Sequence, residues 1–501
     1  MAHNPDRRAF LASAGVTVAS AFVSRALGQT TITTRESVAD MDEGHPTLVA
    51  YRTAVAAMRQ LDTTDPQNPL GWTFQGNMHG VPAGGGTNAA WKWCMHGNWW
   101  FLPWHRGYLY FFERIIRKMS GDDTFALPYW PWELPGQDVL PAPFRVAMYQ
   151  GAPNALFDGT RTIANQGGPL QPGPFSTFAG GWAYAKTMDQ FTDIAADLSF
   201  GGVQVPKTTL PQKPVSQEHG VMESQAHDQI HVLVGSSRPN EIDGNMRHPQ
   251  TAARDPIFWL HHTNVDRLWN QWLAVQGHDN PTDQDWYDQQ FPFIDENGNT
   301  VTLTVTEILN RAASAYHYDD ERRLMAARVN RGARREAPVQ KTIVGVASVQ
   351  PALKLGTTPF RKTLTLDASA KPKLMAALRT PVTNAEPATV LLRIEGIRPP
   401  AKPSVTFDVF LVKPGEGPSQ RAYVGVISFF GREDHGHNEG FTQGFDVTRV
   451  VQAIRRANKD ELPELQVLIV PHSTAGLSDA DLAKEKTEVP ISNVTLKLVS
   501  R

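Results

Sequence analysis

Apolar positions in the first two thirds of the chain recur with the spacing of a helix. Residues 105–116 have a helical composition rich in aromatic side chains, with no helix breaker after the third position. Residues 223–233 also fit a helix, since apolar side chains return at every fourth position from Ala226 onward. Asp255 and Pro256 supply a helix cap and a first-turn proline for a third segment. The pattern predicts a mainly helical domain.

Beyond residue 341 the pattern changes to short runs that are typical of strands. These runs are rich in β-branched and aromatic residues and are fairly evenly spaced, at 363–366, 390–394, 405–411, 423–429 and 465–470. They predict an antiparallel all-β sandwich. Two arginine clusters between the patterns predict an exposed linker that is open to proteolysis. We therefore expect a helical domain at 29–320, a linker at 321–341 and a β-sandwich domain at 342–501.

The N-terminal residues have the pattern of an export signal. Arg7 and Arg8 precede a mostly apolar stretch rich in small residues, and small residues at 26 and 28 have the spacing that a signal peptidase recognises. We expect a twin-arginine signal peptide at 1–28 and a periplasmic or secreted protein. No other apolar stretch in the sequence is long enough to cross a membrane.

Composition narrows the classes of partner. The chain has 501 residues, of which 48 are Lys or Arg and 50 are Asp or Glu, so its net charge of -2 favours neither nucleic acid nor an anionic membrane surface. Hydrophobic residues make up 41%, which is typical of a globular protein with a large core. The single cysteine, Cys94, excludes an intrachain disulfide.

Six histidines carry the candidate chemistry, in two sets of three. Imidazole is a preferred ligand of copper, zinc, iron and nickel, and apolar surroundings favour its neutral, ligating form. The first set is His79, His96 and His105, and the second is His227, His231 and one of the pair His261 and His262. Histidines four residues apart on a helix project from one face and can bind one metal. Two such sites side by side could hold dioxygen, although the spacing alone does not distinguish copper from zinc.

Two segments resemble the copper signatures of tyrosinases and polyphenol oxidases, the type-3 dicopper family. The run Trp-Cys-Met-His-Gly-Asn-Trp-Trp-Phe-Leu-Pro-Trp-His-Arg at 93–106 resembles the first signature, and 255–269 resembles the second. The resemblance covers roughly residues 31–320 and implies a four-helix bundle around two copper ions. The ligands it implies are His79, His96, His105, His227, His231 and His262.

The resemblance also assigns the residues around the metals. His262 is preferred to His261 because the family ligand precedes the aspartate of the Asn-x-Asp segment, here Asp266, by four residues. It places Phe258, His261 and Asp266 beside the ligands. Cys94 matches the family version in which the sulfur is bonded to a ring carbon of the histidine two residues on, here His96. The alternative is a buried free cysteine.

Two carboxylates are the candidate groups for proton transfer. In similar enzymes a glutamate near the position of Glu223, with an asparagine after the first histidine of the second set, orders a water that takes the phenol proton. Here that second position is Asp228, a departure that either replaces the asparagine or weakens hydroxylation. The alternative for Glu223 is a carboxylate at a helix start, favoured by the helix dipole.

The resemblance extends more weakly to the C-terminal domain of plant-type polyphenol oxidases, through 405–411. In relatives this domain covers the copper site with a side chain, for which Tyr423, Phe429 and Phe430 are candidates, although each also suits a simple core position. Tyr316-His317-Tyr318 resembles the motif that closes the catalytic domain, with Arg35 expected to stack on it.

The resemblance implies oxidation of o-diphenols to o-quinones with reduction of O2 to water, joined by ortho-hydroxylation of monophenols. The expected partners are a small phenol and O2, with neither nucleic acid nor membrane, and a homo-oligomer is left open. The alternatives are a catechol oxidase or o-aminophenol oxidase without hydroxylase activity, a hemocyanin-like oxygen carrier, and a metal-binding protein without catalysis.

Overall fold

The computed structural model describes residues 32–500, except 83, 92, 171–176, 187, 194–197, 211, 213–217, 238–240, 321–341, 350–352, 380–387, 400–404, 433–439 and 475–476. The predicted signal peptide at 1–28 and the predicted linker at 321–341 lie outside the described residues. Within the described part of the chain, no helix has the length and apolar character needed to span a bilayer.

The first part of the chain is helical, as predicted. Its helices are α1 (Pro46–Thr64), α2 (Trp72–His79), α3 (Phe101–Ser120), α4 (Ala142–Arg145), α5 (Thr177–Ala185), α6 (Asp228–Val234), α7 (Ile257–Leu273), α8 (Gln284–Asp288) and α9 (Val305–Ala315). Its strand pairs are β1 (Thr33–Arg35) with β6 (Tyr316–Tyr318), β2 (Met148–Tyr149) with β3 (Ala152–Pro153), and β4 (Gln290–Ile294) with β5 (Thr300–Thr304). Single turns of 3-10 helix lie at Val38–Asp40, Ala164–Gln166, Asn245–Arg247 and Ala252–Arg254.

Aromatic packing joins the three long helices. The rings of Phe112 in α3 and Trp259 in α7 stack at 3.3 Å, and Tyr51 of α1 donates a hydrogen bond to the carbonyl oxygen of Pro256 at 2.8 Å. The amide of Ile257 donates to Asp255, which caps α7 as its sequence predicted. Burial of each large apolar side chain contributes about 1.5–3 kcal/mol, so this core holds the histidine-bearing helices in place.

One predicted helix differs from its sequence pattern. Residues Glu223–His227 form a π-helical turn that leads into α6, rather than the first turn of an α-helix. The carbonyl oxygen of Gln225 is approached so closely by Gly181 that a Cβ atom there would collide with it, and it accepts a hydrogen bond from Gln229 at 2.6 Å. The π-helical turn thus has a close tertiary neighbour, and such turns are common at functional sites.

The two ends of the helical part meet at Arg35. Its guanidinium lies 3.4 Å from the centre of the Tyr316 ring, as predicted, and forms ion pairs with Glu113 at 2.9 Å and Asp266 at 3.4 Å. Burial raises the pKa of Asp266, but Arg106 and Arg35 outweigh this and hold the pKa below its usual value. Asp266 therefore connects the two ends of the helical part to α7.

The C-terminal part is an antiparallel sheet. Its strands are β7 (Thr342–Val349), β8 (Leu353–Leu355), β9 (Phe360–Leu366), β10 (Thr389–Ile397), β11 (Val405–Val412), β12 (Tyr423–Ile427), β13 (Phe441–Asp446), β14 (Leu465–Ser473), β15 (Val489–Ile491) and β16 (Asn493–Ser500). Its helices are α10 (Lys371–Arg379), α11 (Thr448–Ala457) and α12 (Asp479–Leu482). Eight strands follow the order β12-β11-β14-β9-β7-β16-β10-β13, and β8 pairs with β15.

The antiparallel prediction is confirmed, but eight of the strands form one continuous sheet rather than the two sheets of a sandwich. Register shifts in the pairs β10–β13, β11–β12 and β16–β7 bend the strands. The sheet curls until its two edge strands, β12 and β13, approach each other. The approach is so close that a Cβ atom at Gly425 in β12 would lie 2.6 Å from the ring of Phe445 in β13. The result is close to a barrel.

The edge strand β12 lies against the π-helical turn. The side-chain amide of Gln225 donates to the carbonyl oxygen of Val426 at 3.0 Å, and its oxygen accepts from the amide of Val426 at 3.0 Å. Gln443 donates to Ser224 at 3.3 Å beside it. The exposed edge that a sheet would otherwise present is thus covered by the helical domain.

Candidate metal centre

Six candidate ligands come from five helical elements and one loop that meet in the core. His79 ends α2, His96 lies in the loop before α3 and His105 lies in α3, whereas His227 ends the π-helical turn, with His231 in α6 and His262 in α7. Potential ligand atoms fall into two groups, each within 4.8 Å: His79, Cys94, His96 and His105, and then His227, His231, His261 and His262. The structure therefore brings together both sets that the sequence predicts.

Backbone carbonyls fix the rings of three candidate ligands. In each case Nδ1 faces a carbonyl oxygen, and the pairs are His79 with Pro249 at 2.7 Å, His105 with Phe101 at 2.8 Å, and His231 with Met246 at 3.1 Å. A hydrogen bond from Nδ1–H leaves Nε2 as the bare nitrogen. These rings are therefore oriented to bind a metal through Nε2.

His227 is held differently, by a side chain. Its Nδ1 lies 2.9 Å from Oδ1 of Asp228, while its buried Nε2 has no hydrogen-bond partner among the described residues. A bare buried nitrogen is costly unless something binds it. His262 lies close by, with its Nε2 3.3 Å from Nε2 of His231. The second group thus fits a cation that accepts nitrogen lone pairs.

Burial keeps these imidazoles neutral. It lowers the pKa of His96, His227, His231 and His262 well below the ordinary histidine value, and neighbouring imidazoles lower each pKa further. Protonated rings would repel one another and lose solvation. The donor set is therefore in the protonation state that soft and borderline metal ions require.

His262 joins the two sets and His261 does not. The ring of His262 stacks on that of His105 at 4.2 Å with an angle of 6°. His261 stacks instead on the outer side of the second set, against His227 at 5.1 Å, and it lies 5.8 Å from Trp132. Of the two neighbours, only His262 faces the first set, which agrees with the choice made from its spacing to Asp266.

The other residues expected beside the ligands have unequal positions. Phe258 packs against His79 at 4.8 Å and His262 at 4.3 Å. Asp266 points away, into the ion network with Arg35 and Arg106.

Cys94 lies beside the His96 ring. Its Sγ is 3.4 Å from Nδ1 and 3.9 Å from Nε2 of His96, and 3.4 Å from Nε2 of His105. Both nitrogens that flank the ring carbon of the predicted bond are therefore within 4 Å of the sulfur. This arrangement suits the predicted bond between sulfur and ring carbon.

A buried carboxylate pair lies beside the histidines. Both oxygens of Glu223 are 3.0 Å from the amide nitrogen of Gly97, the residue after His96. Burial, followed by the charge of Asp228, raises the pKa of Glu223 well above its usual value. Glu223 is therefore a stronger base than an exposed glutamate and sits at the first histidine set.

Sequence reasoning missed His219. Its Nδ1 lies 2.9 Å from Oδ2 of Asp228 and 3.5 Å from Oε1 of Glu223. A lone histidine in a loop has no periodic spacing that marks it, and its position four residues before Glu223 was the available signal.

Of the three side chains predicted to cover the site, Phe430 reaches it. Its ring stacks on His231 at 4.0 Å with an angle of 12°, and lies 5.5 Å from His227 and 5.7 Å from His96. Phe429 points the opposite way, into the core of the C-terminal sheet. Tyr423 packs on Phe410 at 5.5 Å. Neighbouring phenylalanines thus enter the cores of different domains.

Family models match three parts of the chain. The common central domain of tyrosinase matches residues 69–275, and the polyphenol oxidase middle domain matches 280–330. A domain of unknown function matches 342–492, the C-terminal sheet. The first two matches contain every candidate ligand and the Tyr-x-Tyr motif.

Relatives agree with these matches. A tyrosinase of Hahella sp. (strain CCB-MM4) is 28% identical over 92% of this chain and 98% of its own length. Polyphenol oxidases D and B of Solanum lycopersicum, both chloroplastic, are 30% and 32% identical over 58% and 54% of this chain. The match spans only about half of each plant enzyme, 50% and 47%.

Solved structures share the fold. Latent apple tyrosinase has a TM-score of 0.61 at 22% identity, covering 94% of this chain and 98% of that chain. Latent aurone synthase, a polyphenol oxidase, has a TM-score of 0.61 at 21% identity, covering 94% and 90%. The matched domains, the relative that spans nearly the whole chain and the two histidine sets lead to one assignment: the chain belongs to the tyrosinase and polyphenol oxidase family.

Proposed function

We propose that the protein oxidises o-diphenols to o-quinones with reduction of O2 to water, and that it also hydroxylates monophenols. The observation that carries this proposal is the pair of facing histidine groups, joined by the stacked rings of His105 and His262 at 4.2 Å. Names of relatives, including tyrosinase and catechol oxidase, support the same chemistry.

The proposed ligands of two copper ions are His79, His96 and His105, and His227, His231 and His262. The bare Nε2 of His227 and the neutral state of the buried rings support this set. Copper bound there would supply the O2 binding and electron transfer that side chains lack. The surrounding aromatic core excludes water, which strengthens the electrostatic interactions at the site.

We assign proton transfer to Glu223, with Asp228 beside it. A general base works best when its pKa lies near the working pH, and the raised pKa of Glu223 moves it in that direction. Its anchor on the Gly97 amide holds the carboxylate against the first histidine set. Both carboxylate oxygens of Asp228 already face imidazoles. This supports the second candidate function, a catechol oxidase without hydroxylation.

We also propose that the full chain is latent. Phe430 stacks on His231, where the aromatic ring of a phenol would have to approach the second histidine set. Cleavage within 321–341 would then be required before the C-terminal domain at 342–501 could leave. The structural neighbours that are named latent support this proposal through their shared fold alone.

Four finer features belong to the same proposal. Export as a folded protein by the twin-arginine route, a catalytic unit at 29–320 and a Cys94–His96 thioether follow from the sequence and its resemblance. α1, α3, α6 and α7 would be the four helices of the bundle around the copper ions. The distances between Cys94 and both nitrogens of His96 support the thioether.

Oxygen consumption tests the function. Copper-loaded full-length protein and a chain truncated after Arg335 are compared with tyrosine, catechol and o-aminophenol as substrates. We expect the truncated chain to consume O2 rapidly with catechol and more slowly with tyrosine. A lack of steady turnover with all three would contradict the enzyme proposal and favour an oxygen carrier. Equal specific activity of the two chains would contradict latency.

A further inference from the structure

His227 is the candidate ligand whose Nδ1 faces a carboxylate. Among the five candidate ligands with a described Nδ1 partner, three face backbone carbonyls, which the fold holds rigidly, and His96 faces the sulfur of Cys94. His227 instead faces Oδ1 of Asp228, a carboxylate on a rotatable side chain. A carboxylate orients a ligand only when it is itself held by hydrogen bonds. Something must therefore fix Asp228.

His219 is placed to do this. It lies in the loop before the π-helical turn and is 5% exposed. Its Nδ1 is 2.9 Å from Oδ2 of Asp228, so the two carboxylate oxygens of Asp228 each face one imidazole. The nearest oxygen of Glu223 is farther away, at 3.5 Å. The short contact therefore pairs His219 with Asp228 and leaves Glu223 to the amide of Gly97.

The same ring reaches the first histidine set. It stacks beside His96 with the ring centres 6.4 Å apart and an angle of 24°. His219 is thus packed against a candidate ligand of one metal and connected through Asp228 to a candidate ligand of the other. A side chain with both contacts can hold the two sets in one relative arrangement.

We propose that His219 is a positioning residue of the dicopper site, which orients His227 by holding Asp228. This inference rests on the proposed function, since it takes the six histidines to be copper ligands. It accounts for the aspartate that stands where similar enzymes have asparagine. Each oxygen of Asp228 accepts a hydrogen bond from one imidazole. An asparagine has an NH2 group in place of one of these oxygens, and that group cannot accept a hydrogen bond.

The cluster of His219, Glu223 and Asp228 also has the composition of a third metal site. Two of its short contacts argue against that reading. Nδ1 of His219 faces Asp228, and the oxygens of Glu223 face the Gly97 amide, so these atoms are already engaged with protein groups. The geometry points to a hydrogen-bonded support for the copper ligands.

The test uses three variants of the full chain. His219→Phe keeps a ring and removes the donor, whereas His219→Asn keeps a side-chain N–H near the position of Nδ1. His472→Phe is the matched control, because His472 forms a histidine–aspartate contact of the same length, 2.9 Å to Asp408, in the C-terminal sheet. Thermal unfolding of the copper-free proteins establishes that each variant is folded.

Copper retention against a competing chelator is the first readout. Loss of such supporting contacts costs about 10- to 100-fold in metal affinity. We expect His219→Phe to release one of its two copper ions at about 10-fold lower chelator concentration. His219→Asn should recover most of the retention, and His472→Phe should match the unaltered protein.

The second readout is the ratio of tyrosine hydroxylation to catechol oxidation in copper-saturated full chains after limited proteolysis within 321–341. We expect His219→Phe to lower this ratio, because the Asp228 carboxylate beside Glu223 then loses the imidazole that holds its Oδ2. Unchanged copper retention in a folded His219→Phe would overturn the proposal. Equal defects in His219→Asn and His219→Phe would also overturn it, since packing rather than the donor would be responsible. Chelator competition needs no turnover, so a failure of the proposed function would appear separately, as retained copper without phenol oxidation.

Discussion

The two histidine sets are built in different ways. In the first set, His79 and His105 are held by backbone carbonyls of the helical domain, and Cys94 lies against His96. In the second set, His227 is held by a side chain and lies on a π-helical turn that is bonded to the C-terminal sheet. The first set therefore belongs to one domain, and the second depends on two.

The position of Phe430 follows the same division. Its ring is 4.0 Å from that of His231 in the second set and 5.7 Å from that of His96 in the first. The C-terminal domain therefore contacts the centre mainly at its second set. We expect changes at the domain interface to alter the second set first, and the following experiments test that asymmetry.

The largest effect should come from removing one ligand of either set. His105→Ala and His231→Ala should each abolish phenol oxidation, because electron transfer to O2 needs both metals. Metal analysis should find fewer than two copper ions per chain in both variants, with the remaining ion in the unaltered set. Full activity in either variant would contradict the assignment of the centre.

Next in size is the release of the site by Phe430→Ala in the full chain. Truncating a phenylalanine in a core removes about 3–5 kcal/mol of packing free energy. Loss of that free energy from the covered state of the site is enough to raise the rate of catechol oxidation on the order of 100-fold. Initial rates of O2 consumption at equal copper content provide the measurement.

Phe429→Ala is the matched control for this experiment. It removes the same side chain from the C-terminal core and should lower the melting temperature without raising the rate. A rise of equal size in Phe429→Ala would show that loosening of the domain, rather than the ring on His231, controls access.

A smaller effect is expected from Gln225→Ala. The variant leaves the amide and carbonyl of Val426 without their partners in a buried interface, at a cost of about 1–3 kcal/mol. The melting temperature should fall in the full chain and not in the truncated chain. Gln466→Ala, which removes a contact to Thr363 within the sheet, is the control. Equal losses in full and truncated chains would argue that Gln225 supports only its own domain.

The smallest change concerns the first set. If Cys94 and His96 are joined, the mature protein is lighter than its sequence mass by two hydrogen atoms, which O2 removes as the bond forms. High-resolution mass spectrometry of the intact chain and of the peptide containing both residues measures this. Cys94→Ser should have its full sequence mass, and its second histidine set should still bind copper.

How much the sequence predicted depends on the range of the interactions. The helix after His105 and the cap at Asp255 were predicted because spacing and capping act within a few residues. The π-helical turn at Glu223 was not, and it packs closely against Gly181, which is far away in sequence. His219 was missed because its partners are set by the fold.

The C-terminal domain shows the same limit. Its strands followed from their β-branched runs, but closure into one sheet depends on register shifts that no local pattern contains. Phe429 and Phe430 are identical and adjacent, so the sequence could not tell which of them enters the helical domain. The direction of each ring is decided by the turn that follows β12.

The docking of β12 against the helical domain determines how the two domains separate after cleavage. Gly425 has a φ of +152°, and a side chain there would come within 2.5 Å of Gln225 and 2.6 Å of Phe445, so one residue lets the sheet curl and the domains meet. After cleavage between the domains, these contacts hold two separate molecules instead of one. Dissociation then follows mass action, and activation should grow with dilution as well as with proteolysis. A concentrated, fully cleaved sample would remain inhibited until it is diluted.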